Sequence, residues 1–412
     1  MTFRRRQRSL QHQAAHDGEQ VQYAPPLNHP LVPKGEPELI SDRTTLAAFA
    51  AHIRQERTFA FDTEFIGEVA YRPKTCLIQL ATSKRVALVD PIALPDVSVV
   101  WELVSDQNLV TIVHAGASDL SPVRRHQKRE PRNLMDVQVA AGFLGMAFPS
   151  SLAKLVERFA GHVLTKGHTF TDWDARPLSA SQLHYAADDV RYLPLVWDVV
   201  RQELEARDRL MWAATETIAR LDDPHLFDSK AQMRRASRGY DLNKPQEALL
   251  EALCVARDMI AQAEDLPHRT TIPDGSLLEI VRDRPETPAA LDAIRGLPRP
   301  VVSRHSDLLL STLRANQSER ATWFGVRRRR EDEPEIKVKI TAMLAEAVKA
   351  SEELQVAASL AVTRSDLERF LRNSLAASEH GEAPPSLFEA RDWRREAFGD
   401  RIERAGDVAP TT

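Results

Sequence analysis

Strands come early in this chain and helices come late, and that order constrains its fold more than any other feature. Four strand-like stretches, "TFAFDTEF" (58–65), "TCLIQLAT" (75–82), "RVALVD" (85–90) and "LVTIVHA" (109–115), are interleaved with helical periods near 44–54 and 97–104. Early strands with interspersed helices require a mixed sheet covered on its faces, an α/β unit that the pattern carries, mostly as helices, to about residue 217. Beyond it the chain is almost wholly helical. Residues 246–316 have apolar positions at helical spacing, broken by "DLPHRTTIP", "DRPETP" and "RGLPRP", and read as a compact bundle of short helices. The charged stretch "RRRREDEPE" then leads to a second helical region. The resulting division is a polar, proline-dotted and disordered lead (1–38), an α/β domain (39–217), a linker (218–245), a helical domain (246–316), a charged linker (317–334) and a second helical domain (335–405).

At 412 residues and 43% hydrophobic content the chain can bury several cores, so isolated features must be weighed against ordinary packing. Cys76 and Cys254 lie far apart within apolar segments, which favours buried thiols in a reducing cytoplasm over a disulfide or a zinc site. No apolar run approaches the roughly 20 residues needed to cross a bilayer, and the basic start lacks a signal peptide's apolar segment, so the expected location is cytoplasmic. A net charge of −4 excludes nothing about polyanionic partners; basic patches exist at Arg4, Arg5, Arg6 and Arg8 and at Arg327–Arg330, and they read first as solvated charge runs or tails.

The sharper signal is acidic. Residues i and i+2 of a strand point the same way, so Asp62 and Glu64 stand side by side at the end of the first long strand. Two like charges so placed raise each other's proton affinity unless a cation lies between them. They are either solvated at the strand end or ligands of a hard cation. Asp119 follows the strand "LVTIVHA" and reads as a helix cap or as another ligand. In "SASQLHYAADDVRYL", Tyr185 and Asp189 share one helix face; His184 lies five residues before Asp189, about 140° around the helix against about 40° for Tyr185.

Together these pieces resemble the DEDD exonucleases of the tyrosine branch, and most closely the ribonuclease D family. The motifs "FDTEF", "CLIQLA", "HAGASDL", "DVQVAAGFLG", "SLAKLVERF", "TDWDARPL" and "YAADDVRYL" occur in that family's order. Residues 246–316, with "ARDMIAQAEDLPHRTTIPDGSLLEIV", resemble an HRDC domain, and the region after 335 resembles a divergent second copy. The resemblance implies a ribonuclease H-like mixed sheet flanked by helices, followed by all-α HRDC-like bundles. It also implies a 3′-5′ exoribonuclease that releases nucleoside 5′-monophosphates with two divalent ions, Mg²⁺ or Mn²⁺. Asp62 would be shared between the ions, Glu64 and Asp189 would complete the first shell, Asp119 would hold the second ion and Tyr185 would orient the attacking water. The implied partner is RNA with a free 3′ end, tRNA precursors above all, with no protein partner. Phe65 is a candidate for stacking on the terminal base, Lys166, Arg257, Arg269 and Arg304 are candidates for phosphate contacts, and Trp173, Arg176 and His114 read as packing residues. A DNA 3′-5′ exonuclease and a non-catalytic RNA-binding protein are the alternatives.

Overall fold

The structure, a computed structural model, describes residues 25–66, 70–127, 130–164, 172–221, 227–316, 325–326, 334–379, 381–390 and 392–407. One mixed sheet has the order β1 (Glu38–Ile40), β4 (Val86–Val89), β3 (Lys74–Ala81), β2 (Thr58–Ile66), β5 (Val110–Val113), β6 (Leu134–Asp136). Strands β2, β3 and β4 form an antiparallel meander, while β1 joins β4, and β5 and β6 extend from β2, all in parallel. The helices of this unit are α1 (Arg43–Glu56), α2 (Ser98–Val104), α3 (Ser121–Gln127), α4 (Val137–Gly142), α5 (Leu152–Ala160), α6 (Ala180–Arg191), α7 (Leu193–Glu205) and α8 (Leu210–Ala219). The short strands β1 and β6 escape the sequence pattern because three residues carry no measurable period.

Alternation along β2 builds the two layers. Phe59 and Phe61 pack with Ile78, Leu80 and Val89 against Leu46, Phe49 and Ile53 of α1. Ala60, Asp62 and Glu64 point to the opposite face, where Leu77 and Leu88 meet Ala186, and Ala60 and Ala81 join the core containing Ala187 and Val190. Helix α6 therefore lies across the face that carries the acids. Its start is set by a reciprocal cap: Gln182 N–H donates to Ser179 Oγ, and Ser179 N–H donates to Gln182 Oε1.

The lead is not wholly loose. Val32 is buried in the core, and Arg191 donates to the carbonyls of Pro33 (2.7 Å) and Gly35 (3.0 Å), so residues 25–38, expected to be disordered, are held against α6. The proline-rich composition hides this because the anchoring comes from a distant arginine. Residues 1–24 lie outside the described residues.

The first helical unit comprises α9 (Ser229–Ala236), α10 (Lys244–Glu264), α11 (His268–Thr271), α12 (Asp274–Asp283), α13 (Pro288–Asp292) and α14 (Arg299–Ala315) around Leu249, Leu253, Ile260, Leu277, Ile280 and Leu309. The expected linker 218–245 is only partly one. Ala236 and Leu242 are buried in this bundle, and β7 (Tyr240–Asp241) pairs with β8 (Gly325–Val326), which falls in the expected charged linker. The bundle touches the loop after β2: Tyr71 donates its hydroxyl to Asp258 (2.7 Å) and its ring meets His268 edge-on.

Among the described residues, helices α15 (Pro334–Leu354), α16 (Ala358–Ala361), α17 (Arg364–Glu379), α18 (Trp393–Phe398) and α19 (Arg401–Ala405) share their buried cluster with the α/β unit. Ile340, Met343, Leu360 and Trp393 share one apolar cluster with Phe143, Val156 and Trp197. Leu360 packs so closely on Gly142 that a Cβ there would stand 2.5 Å from Leu360 Cδ1, and Ala357 N–H donates to Gly142 O at 2.7 Å. The buried Glu216 of α8 fastens the seam, accepting from Trp393 Nε1 (2.8 Å), Arg394 (2.7 Å) and Arg220 (2.5 Å). The separate domain expected over 335–405 is thus fused to the sheet unit through a common core.

Candidate active site

Four carboxylates reach one end of the sheet from three different segments. Asp62 and Glu64 come from β2, Asp119 from the turn after β5 and Asp189 from α6. A register shift between Glu64 and Phe65 bends β2 just after the second acid, a device that re-aims side chains at strand ends. Thr63, between the acids, ties β2 to the turn after β5: its Oγ1 donates to Asp119 Oδ1 (2.5 Å) and its N–H to Asp62 Oδ1 (2.9 Å). The turn carrying Asp119 is itself pinned, because buried Asp136 caps α4 and accepts from Ala115 N (3.1 Å), while His114 bonds the Ser150 carbonyl (2.9 Å). Asp119 lies two residues before α3.

The electrostatics follow from this crowding. Burial, then the charges of Asp119, Asp189 and Glu64, push Asp62 well above the carboxylate range. Burial and the charges of Asp189 and Asp119 raise Glu64 to about 8, and burial with the charge of Asp188 raises Asp189 to about 7 against the hydrogen bond from Tyr185. Asp119 is raised by burial and partly restored by Thr63. Burial and the charges of Asp189, Glu64 and Asp62 drive the Tyr185 hydroxyl upward, so it remains a donor at neutral pH.

Tyr185 and Asp189 share the face of α6 turned to these acids. Tyr185 packs with Trp173, ring centroids 6.2 Å apart, and with the cluster of Leu77, Leu88 and Ala186. Trp173 is held by Arg176, which donates to its carbonyl (2.8 Å), to Cys76 O (2.8 Å) and to both oxygens of Asp90 (2.6 and 2.7 Å). His184 turns elsewhere and pairs with Asp188 (3.2 Å), which also meets Arg191 (3.4 Å). Thr63, Asp90 and Asp136 escape sequence reading because their work depends on partners distant in the chain; the small polar residue between two acids is the one local hint.

The proposed nucleic-acid contacts fare unevenly. Phe65 is 36% exposed beside the acids. Lys166 lies outside the described residues. Arg257 is a correction: it is fully buried, donates to Asp274 (2.6 Å) and Ile272 O (3.1 Å), and holds α10 to α12. Helical periodicity puts it on the inner face of α10, which its charge concealed. Arg269 and Arg304 are exposed, near Asp274 (3.5 Å) and Glu264 (2.5 Å) respectively.

Among the described residues no three His, Cys, Asp or Glu side chains form a ready-made metal cage. The fit to a hard cation is one of donor chemistry: four carboxylates, acceptor-only when ionised, each made reluctant to ionise by burial and by its neighbours. A positive charge relieves that penalty. Because the raised acids hold protons in the native state that the unfolded chain has lost, the ion-free protein loses stability as pH rises from about 4 to about 8. The increase in Tm on adding Mn²⁺ should therefore be larger at pH 8 than at pH 5.5. Equal increases in thermal unfolding scans would show that the acids are already ionised at the lower pH.

Comparison with known proteins places the chain in a family. Residues 37–205 match the family model described as 3′-5′ exonuclease, and residues 246–313 match the HRDC domain. A ribonuclease D of Granulibacter bethesdensis is 32% identical over 88% of this chain and 91% of its own length. A ribonuclease D of Shewanella sp. is 36% identical over 61% of this chain and 65% of its own. Among solved structures, Escherichia coli RNase D, an exoribonuclease involved in structured RNA processing, superposes with a TM-score of 0.74 at 26% identity, covering 90% of this chain and 98% of that one. No described helix is long and apolar enough to cross a membrane.

Proposed function

Since the chain belongs to the ribonuclease D family, and so is a 3′-5′ exoribonuclease, we propose that Asp62, Glu64, Asp119 and Asp189 hold two divalent ions, Mg²⁺ or Mn²⁺, over the terminal phosphodiester of an RNA 3′ end. The observation that carries this reading is the convergence of four mutually repelling acids, Asp119 buried and Asp62, Glu64 and Asp189 half-buried, on a tyrosine that remains protonated. Bound there, the ions would lower the pKa of water and stabilise the departing 3′ oxygen. The protein's own residues do the rest. Asp62, central among the acids, is the shared ligand; Glu64 and Asp189 complete one shell and Asp119 the other. Thr63 keeps Asp119 aimed by its hydrogen bond. Tyr185, donating from α6 with Trp173 behind its ring, orients the attacking water, while its high proton affinity excludes it as a base. Phe65 stacks on the terminal base from the exposed side of the bend. Exposed Arg269 and Arg304 of the HRDC unit supply phosphate contacts, and precursors of tRNA are the substrates that such a combined surface suits.

The test is cleavage of 5′-labelled single-stranded RNA and DNA of one sequence in Mn²⁺. Stepwise shortening of the RNA from its 3′ end is expected; faster loss of DNA, or intact RNA bound alike by wild type and by variants of the acids, overturns the reading. Tyr185→Phe should lower kcat about 100-fold through loss of water alignment. His184→Ala, whose partner is Asp188, should leave kcat near wild type. The assignment fails if only the histidine change slows cleavage.

A further inference from the structure

Beside Asp62, on the neighbouring strand, lies a polar side chain that the reaction described so far does not use. Gln79 of β3 is the register partner of Asp62, so both project from the same face of the sheet, the face that α6 covers. It is completely buried, and among the described residues neither its Nε2 nor its Oε1 has a hydrogen-bond partner. Leaving a buried amide unpaired costs about 1–3 kcal/mol, which an apolar residue of the same volume would avoid. Folding alone gives no reason for a glutamine at this point.

The surroundings narrow what the amide can serve. Directly across β3 and β4 stands Leu88, and along β3 on the same face stand Leu77 and Ala81. Asp90, one step beyond β4, has both oxygens engaged by Arg176 and by the N–H groups of Ile92 and Ala93. On β2 the diagonal neighbours are Ala60 and Glu64, and the direct one is Asp62. Of the side chains that the strands set beside Gln79, the carboxylates of Asp62 and Glu64 belong to the acid site.

We infer that Gln79 is a positioning residue of the acid site, its Nε2 donating to the Asp62 carboxylate in the orientation that carboxylate adopts as an ion ligand. The amide is neutral, so it fixes the direction of Asp62 without adding to or cancelling the charge at the site. Hydrogen bonds from outside a ligand shell orient the ligand, and their loss typically costs about 10–100-fold in metal affinity or activity. The inference rests on the reading of the four acids as an ion site, and its test keeps the two apart.

The experiment compares wild type with Gln79→Met and Gln79→Leu, both close in volume and unable to donate. Three quantities are read: Tm in chelator, Mn²⁺ affinity by calorimetry, and kcat and KM on single-stranded RNA. Expected is a Tm in chelator equal to or above wild type, Mn²⁺ affinity and kcat lower by about 10-fold or more, and KM unchanged. Variants that match wild type in Mn²⁺ affinity and kcat overturn the inference. So do variants whose Tm in chelator collapses, since the amide would then support the fold rather than the site. If wild type itself binds no Mn²⁺, the ion-site reading fails first, and this inference fails with it.

Discussion

An Asp62→Asn enzyme should cleave RNA at least about 100-fold more slowly than wild type and yet, in chelator above about pH 7, unfold at a higher temperature. Both effects have one cause. Asp62 is pushed above the carboxylate range by burial and by Asp119, Asp189 and Glu64, so at high pH its charge is costly to the native state. Asparagine keeps the shape and removes the charge. It also lowers the repulsion on Glu64 and Asp189, which otherwise titrate near 8 and 7. The sign follows from linkage: groups with raised native pKa hold protons that the unfolded chain releases, so the ion-free native state weakens with rising pH and its neutral variant is spared. Mn²⁺ should stabilise wild type far more than the variant. A variant that loses activity and is also less stable in chelator at pH 8 would make Asp62 an ordinary structural acid.

The second large effect lies far from the acids. Glu216→Ala should destabilise the whole chain by about 2–3 kcal/mol, because at a mostly covered seam Arg394 loses one of its two carboxylate partners and keeps only Asp392 and the carbonyls of Leu360 and Ala361. The loss also frees the Trp393 indole N–H. Trp393→Ala should cost about 3–5 kcal/mol, since its ring packs on Phe143 at 4.7 Å within the shared core. Each kcal/mol corresponds to a fall in Tm of roughly 2–4 °C in a large domain. If α15–α19 were a detachable module, either change would loosen only the C-terminal helices and leave exonuclease activity and the main unfolding transition intact. One cooperative transition, moved downward, is the expected outcome.

What could be read from the sequence was whatever is local. The alternation in "TFAFDTEF" places Asp62 and Glu64 on one face, and the four-residue step from Tyr185 to Asp189 places both on one side of α6. The three-residue strands β1 and β6 fall below the length at which a period can be seen. Arg257 illustrates a different limit. Its charge suggests a surface, but its position on α10 turns it inward, and Asp274 supplies the partner that makes burial tolerable. The seam of Gly142 with Leu360 and of Glu216 with Arg394 joins residues about 180 to 220 positions apart, and no short-range pattern announces such pairs.

The most direct test of the four-acid site follows the 3′ label of a single-stranded RNA in Mn²⁺, wild type beside Asp62→Asn. The site as described releases the label at once as a nucleoside 5′-monophosphate from wild type, while chelator or the substitution abolishes release. Label appearing in 3′-terminal fragments longer than one nucleotide, or released equally by the Asp62→Asn enzyme, would contradict it.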